Sequence, residues 1–141
     1  MKTKNFLGLT AILAVLLSPA CDFFSHDEKP PAPVCELDQP FTLWYEQTAE
    51  CDDWNVTFSG NIQDSRCPTS VVCVWEGRVD VQLEVGDEVI FLGLPQHQDL
   101  GQSKDTIDNK VIELLEVLPY PEGTNPIPND QYQVKLVVTD L

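Results

Sequence analysis

From Cys35 to the C-terminus, apolar side chains recur at every second position along most of the chain. Trp54, Val56, Phe58, Gly60 and Ile62 alternate with Asn55, Thr57, Ser59 and Asn61. Val79, Val81, Leu83 and Val85 alternate with Arg78, Asp80, Gln82 and Glu84, and Tyr132, Val134, Leu136 and Val138 repeat the pattern. Successive side chains of a strand point to opposite faces, so this period predicts strands with one buried face. Gly86-Asp87, placed between the Val79 stretch and Glu88 to Leu94, predicts a hairpin. Phe41 to Gln47, Val71 to Trp75 and Val111 to Leu118 are rich in β-branched and aromatic residues and bring the total to about seven strands. Val111 to Leu118 also fits two turns of helix, but it lacks a Gly stop and runs into Pro119-Tyr120-Pro121, which favours strand. Gln96 to Asn109 and Glu122 to Asp130 are polar and read as strand-free loops. The prediction is an all-β domain over residues 35–141, an antiparallel β-sandwich or small barrel of about seven strands. Its core would come from Trp54, Val56, Phe58, Val79, Val81, Leu83, Tyr132, Val134 and Leu136.

The N-terminus follows another pattern. Lys2 and Lys4 precede an uncharged run from Phe6 to Leu17, then Ser18-Pro19-Ala20-Cys21. A basic start, a short apolar stretch and small residues before a cut make a secretory signal over residues 1–20. The apolar run of 12 residues falls short of the roughly 20 that span a bilayer. Cys21 directly after a small residue resembles the lipobox of bacterial lipoproteins, in which the Cys thiol carries a diacylglycerol and the new amino terminus is acylated, palmitate being a common chain. Ser18 stands where that pattern usually has Leu, and Leu17 sits one residue further back. Ordinary cleavage after Ala20 is the alternative. Cysteine parity favours the lipid site: five cysteines are an odd number, and assigning Cys21 to an anchor leaves Cys35, Cys51, Cys67 and Cys73 for two bridges in an oxidising compartment. Residues 21–34, with Pro30, Pro31 and Pro33, read as an extended, semi-rigid tether. The expected location is therefore outside the cytoplasm, on a bacterial membrane, facing the periplasm or the cell surface.

The composition narrows the possible partners. The 141 residues carry 23 acidic and 8 basic side chains, a net charge of -15, which becomes -17 once Lys2 and Lys4 are removed with the signal. Nucleic acid and anionic lipid both require clustered Lys and Arg, so neither is an expected electrostatic partner. No HExxH, GxxxxGK[ST] or GxGxxG motif occurs.

The most distinctive run is Asp64-Ser65-Arg66-Cys67-Pro68-Thr69-Ser70-Val71-Val72-Cys73-Val74-Trp75-Glu76-Gly77. Cys67 and Cys73 are close in sequence with Pro68 setting a turn between them, which favours a bridge; Cys35 and Cys51 are then left to pair. Asp64 and Arg66 are placed to pair locally, and Gly77 permits a close turn or bulge. On a strand, Trp75 and Cys73 would share a face, where the indole could cover the disulfide. Zinc and redox roles for the Cys pair are weaker readings, because further ligands are absent nearby and the spacing is not C-x-x-C.

The D-S-R-C-P-x-x-V-x-C-V-W-x-G pattern, the Val81-Gln82-Leu83 strand after it, the Leu118-Pro119-Tyr120-Pro121 turn and the final Asp130 to Leu136 strand together resemble a family of small exported bacterial lipoproteins. Glu76 stands where Ala is expected in many members. The resemblance implies an exported β-domain and supplies no catalytic residue.

Catalysis finds little support in the residues. His26 and His97 are the only histidines, one in the tether and one in a loop, and no G-x-S-x-G elbow accompanies them. No catalytic residue, cofactor or metal site is expected, although Asp99, Asp105, Asp108 and Asn109, or Glu50, Asp52 and Asp53, are the places where calcium could bind. The expected function is a lipid-anchored binding or structural module of the envelope, its membrane contact made through Cys21. A secreted inhibitor-like or ligand-binding domain, with calcium as one candidate ligand, is the alternative.

Overall fold

The computed structural model describes residues 29–95 and 101–141. The signal segment, Cys21 and most of the tether, with His26, His97 and Asp99, lie outside the described residues. Among the described residues eight strands form, in the order β1 (Phe41–Trp44), β2 (Thr48–Glu50), β3 (Asn55–Asp64), β4 (Val79–Val85), β5 (Glu88–Leu94), β6 (Lys104–Ile107), β7 (Lys110–Leu118) and β8 (Gln133–Asp140). They pair antiparallel in two four-stranded sheets, β1-β8-β7-β6 and β2-β3-β4-β5. The sheets pack face to face as a sandwich; the alternative of a closed barrel is not what forms.

Period-two patterning decides the core. Val56 and Phe58 of β3, Val79, Val81, Leu83 and Val85 of β4, and Val134, Leu136 and Val138 of β8 are all buried. Leu43, Leu92, Ile112 and Leu114 complete the interior from the other strands. Trp54 packs against this core only partly buried, at its margin. The chain changes sheet at a tight corner, where Tyr45 N–H bonds Tyr132 O (3.0 Å) and Glu46 N–H bonds Phe58 O (2.7 Å). Phe41 to Gln47 is therefore not one strand: β1 ends at Trp44, and the short strand β2 follows the corner.

Two further expectations need correction. Gln96 to Asn109 is not strand-free, since Lys104–Ile107 forms β6. It was hidden because an edge strand with exposed Lys104, Asp105 and Thr106 shows no apolar alternation. Its turn to β7 places Asp108 and Asn109 at φ 48 and 63, the two successive left-handed residues of a type I′ hairpin. Val71 to Trp75 is a loop, not a strand. β7 itself resolves the helix ambiguity. Ile112, Leu114 and Val117 face inward, and the register shift between Leu114 and Glu116 inserts one residue, so a bulged strand mimics helical spacing.

Candidate binding loop

β3 and β4 are joined by residues 65–78, and the whole signature run lies in and beside this connection. Its stem is two short antiparallel arms: Ser65 N–H donates to Arg78 O (2.8 Å) and Cys67 N–H to Glu76 O (2.9 Å). Gly77 sits at φ +69, and a Cβ there would lie 1.9 Å from Ser65 O. Only glycine lets the two arms approach this closely. Above the stem, Cys67 and Cys73 are bridged with Cα atoms 5.9 Å apart. Pro68 O accepts from Val71 N–H (3.2 Å), the turn that Pro68 was expected to set. Thr69 N–H and Ser70 N–H donate to Pro121 O and Glu122 O, fastening the loop's flank to the chain after β7. The second bridge joins Cys35 and Cys51, Cα atoms 4.7 Å apart, at the other end of β2 and β3.

A polar cluster supports the loop from below. Arg66 pairs with Asp64 through both nitrogens of its fork, Nε to Oδ1 at 2.9 Å and Nη2 to Oδ2 at 2.5 Å. Each side chain is only 8% exposed. Arg66 also donates to Val117 O (2.7 Å) and Pro119 O (2.8 Å), and its guanidinium lies 4.7 Å from the Tyr120 ring centroid. Tyr132 donates its hydroxyl to Asp64 Oδ2 (2.9 Å). Burial works to raise the Asp64 carboxyl, but hydrogen bonds and charge from Arg66, with the Tyr132 hydroxyl, hold it below the usual carboxylate value. Tyr132 is pushed up to about 12 by burial and by its bond to the Asp64 carboxylate. The surroundings thus favour an ionised Asp64 and a neutral Tyr132, and the cluster acts as a brace.

The tip is the opposite in character. Val72 and Val74 are fully exposed, Trp75 is 73% exposed and Val71 41%. Trp75 does not cover the disulfide. Outside a strand it loses the shared face with Cys73, and the indole instead walls a cleft of about 610 Å³ with Gln63, Arg78, Asp80 and Pro95. Arg78 in that cleft is held by both oxygens of Asp80, which raises its pKa further, chiefly through those hydrogen bonds.

Asp64, Arg66, Pro68, Gly77 and both cysteine pairs thus stand where the sequence places them, and Trp75 does not. Tyr132 and Tyr120, the partners of the Asp64–Arg66 pair, lie far from it in sequence and are not legible from spacing. The signal for Tyr132 was a phenol at an inward position of an apolar strand pattern, where its hydroxyl must find an acceptor. Comparison with protein families, curated proteins and solved structures returns no significant match. Among the described residues no group of three or more His, Cys, Asp or Glu side chains is arranged to hold a metal ion. No described helix is long and apolar enough to cross a membrane. The two disulfides fit an oxidising compartment outside the cytoplasm.

Proposed function

We propose that this protein is a lipid-anchored β-domain of the bacterial envelope, without catalytic activity of its own, which works as a binding module through the tip of its disulfide loop. The observation that carries the reading is the exposure of Val72, Val74 and Trp75 on a loop whose base is held by a bridge, a glycine-dependent stem and a buried ion pair. An ordered loop has lost its conformational freedom before binding, so association costs less ordering entropy. Leaving large apolar side chains in water on such a loop serves contact rather than folding. The odd cysteine, Cys21, supplies the anchor.

Two experiments test this. Intact mass and cell fractionation should show acylated protein in membranes, with Cys21→Ser released or unprocessed; unlipidated, soluble wild-type protein would refute the anchor. A photo-crosslinking residue at position 75 should give a defined adduct in cells that disappears in a Val72→Asp/Val74→Asp background. Crosslinking no different from a probe at Asp87, on the β4–β5 turn, would refute the loop as the contact surface.

A further inference from the structure

Lys29, the first described residue, and the apolar loop stand at the same end of the domain. Val34 pairs in parallel with Glu50, so the chain read backward from Val34 follows β2 backward from Glu50 toward the corner at Tyr45. Gln47 Nε2 donates to Pro30 O (2.7 Å), Lys29 Nζ donates to Tyr45 O (2.6 Å), and the Lys29 ammonium lies 5.9 Å from the Tyr45 ring centroid. Lys29 shares a groove with Trp44, Leu118, Pro119, Tyr120 and Gln133. Tyr120 is the ring that carries the Arg66 guanidinium, and Pro121 and Glu122 hold the loop's flank. The described chain therefore begins beside the base of the disulfide loop. The Cys35–Cys51 bridge and the β4–β5 turn lie at the far end.

Cys21 is eight residues before Lys29, and eight residues span at most about 28 Å when fully extended. A lipid on Cys21 would consequently hold Lys29, which stands at the loop end of the sandwich, within that distance of the bilayer. The nine residues from Cys67 to Trp75 carry no charge, in a chain with 23 acidic side chains. Trp is favoured at the membrane interface, where an apolar ring meets a wet polar edge. The net charge of the mature chain opposes attraction to anionic lipid, so the contact must be apolar and shallow. Glu76 and Glu122, both exposed beside the tip, limit its depth.

We propose that Val72, Val74 and Trp75 seat in the interfacial layer of the same bilayer that holds the anchor, fixing the domain's orientation through a second contact. This deepens the binding-module reading and rests on the lipid at Cys21. The test uses the full-length acylated protein in phosphatidylcholine vesicles. With Cys21 acylated and the other cysteines bridged, a Val74→Cys variant offers one free thiol for an environment-sensitive nitrobenzoxadiazole label. An Asp87→Cys variant labels the far end. The label at 74 should emit to the blue of the label at 87 and be quenched by nitroxide lipids, and Val72→Asp/Trp75→Asp should abolish both effects. Labels at 74 and 87 that are equally water-like, in protein whose mass shows the lipid, overturn the proposal. So does a crosslink from position 75 that retrieves a protein instead of lipid. If mass shows Cys21 unmodified, the anchor reading fails; the same pair of labels on protein held to vesicles by an N-terminal chelating-lipid tag then decides the loop by itself.

Discussion

Replacing Arg66 by Met should be among the most damaging single changes available in this domain. The guanidinium is the charge partner of Asp64 and the donor to the carbonyls of Val117 and Pro119. Met keeps the length and apolar volume of the stem but strands a carboxylate that is 8% exposed, with the Tyr132 hydroxyl as its one remaining side-chain partner among the described residues. Breaking one half of a buried pair costs about 3–5 kcal/mol. Two carbonyls that also lose donors push the figure toward the upper end. In a domain of this size about 4 °C of Tm accompanies each kcal/mol, so the melting temperature should fall by roughly 12–20 °C. Urea denaturation followed by near-ultraviolet circular dichroism gives the free energy, with the slope unchanged if only the native state is affected. The double variant Asp64→Leu/Arg66→Met removes both charges, and it should be less destabilised than Arg66→Met alone despite the additional substitution. An Arg66→Met variant within about 1 kcal/mol of wild type would refute the brace. Equally damaging to the argument would be a double variant whose cost equals the sum of the two single ones.

Three other outcomes are expected. The Tyr132 hydroxyl is raised from 10.0 to about 12, so the fold favours its neutral form; that stability is complete below pH 10 and lost as pH climbs through 12, by about 2–3 kcal/mol. Urea midpoints of wild type and Tyr132→Phe across this range isolate the effect, because lysine titration is common to both, and parallel curves would exclude it. Gly77→Ala should destabilise by more than the 1–3 kcal/mol that a left-handed non-glycine residue costs, since its Cβ also meets Ser65 O at 1.9 Å; a thermal melt indistinguishable from wild type would contradict the stem geometry. Cys35→Ser/Cys51→Ser opens a loop with a sequence separation of 16 and should cost about 3 kcal/mol in the chain-entropy model, measured by the same denaturation, while peptide mapping finds Cys67–Cys73 intact.

The elements that were legible in the sequence are those in which burial on one face imposes a strict period. β4, and β8 from Gln133, follow directly from alternation, and β5 follows from the Gly86-Asp87 turn that pairs it with β4. β6 was not legible, because an edge strand with three exposed polar positions has no buried face to record. β2 was not anticipated, and the strand expected over Phe41 to Gln47 overran β1, since the positive φ of 61° at Glu46 that turns the chain between sheets falls on a residue with no turn signature. Val71 to Trp75 misled in the other direction: β-branched and aromatic residues suggest a strand in a core, and here they are set in water. Within the site, spacing was enough for the Asp64–Arg66 pair and the Cys67–Cys73 bridge, and the remaining two cysteines left Cys35–Cys51. Contacts across long sequence distances, from Arg66 to Val117 and Pro119 and from Tyr132 to Asp64, depend on which strands become neighbours, and periodicity alone carries no such information.

The Cys35–Cys51 bridge also determines how the domain would bear a pull from its N-terminus. Tension there would first peel residues 29–34 from the edge of β2, breaking the contacts of Lys29, Pro30 and Val34 and releasing about 20 Å of slack. Cys35 then transmits the load covalently to Cys51, beside the start of β3. β3 is an inner strand, flanked by β2 and β4. The segment between the two cysteines, which contains β1 and β2, is bypassed and carries little of the force. The bridge would act as a mechanical stop: the edge yields a short, recoverable extension before the sandwich itself is strained.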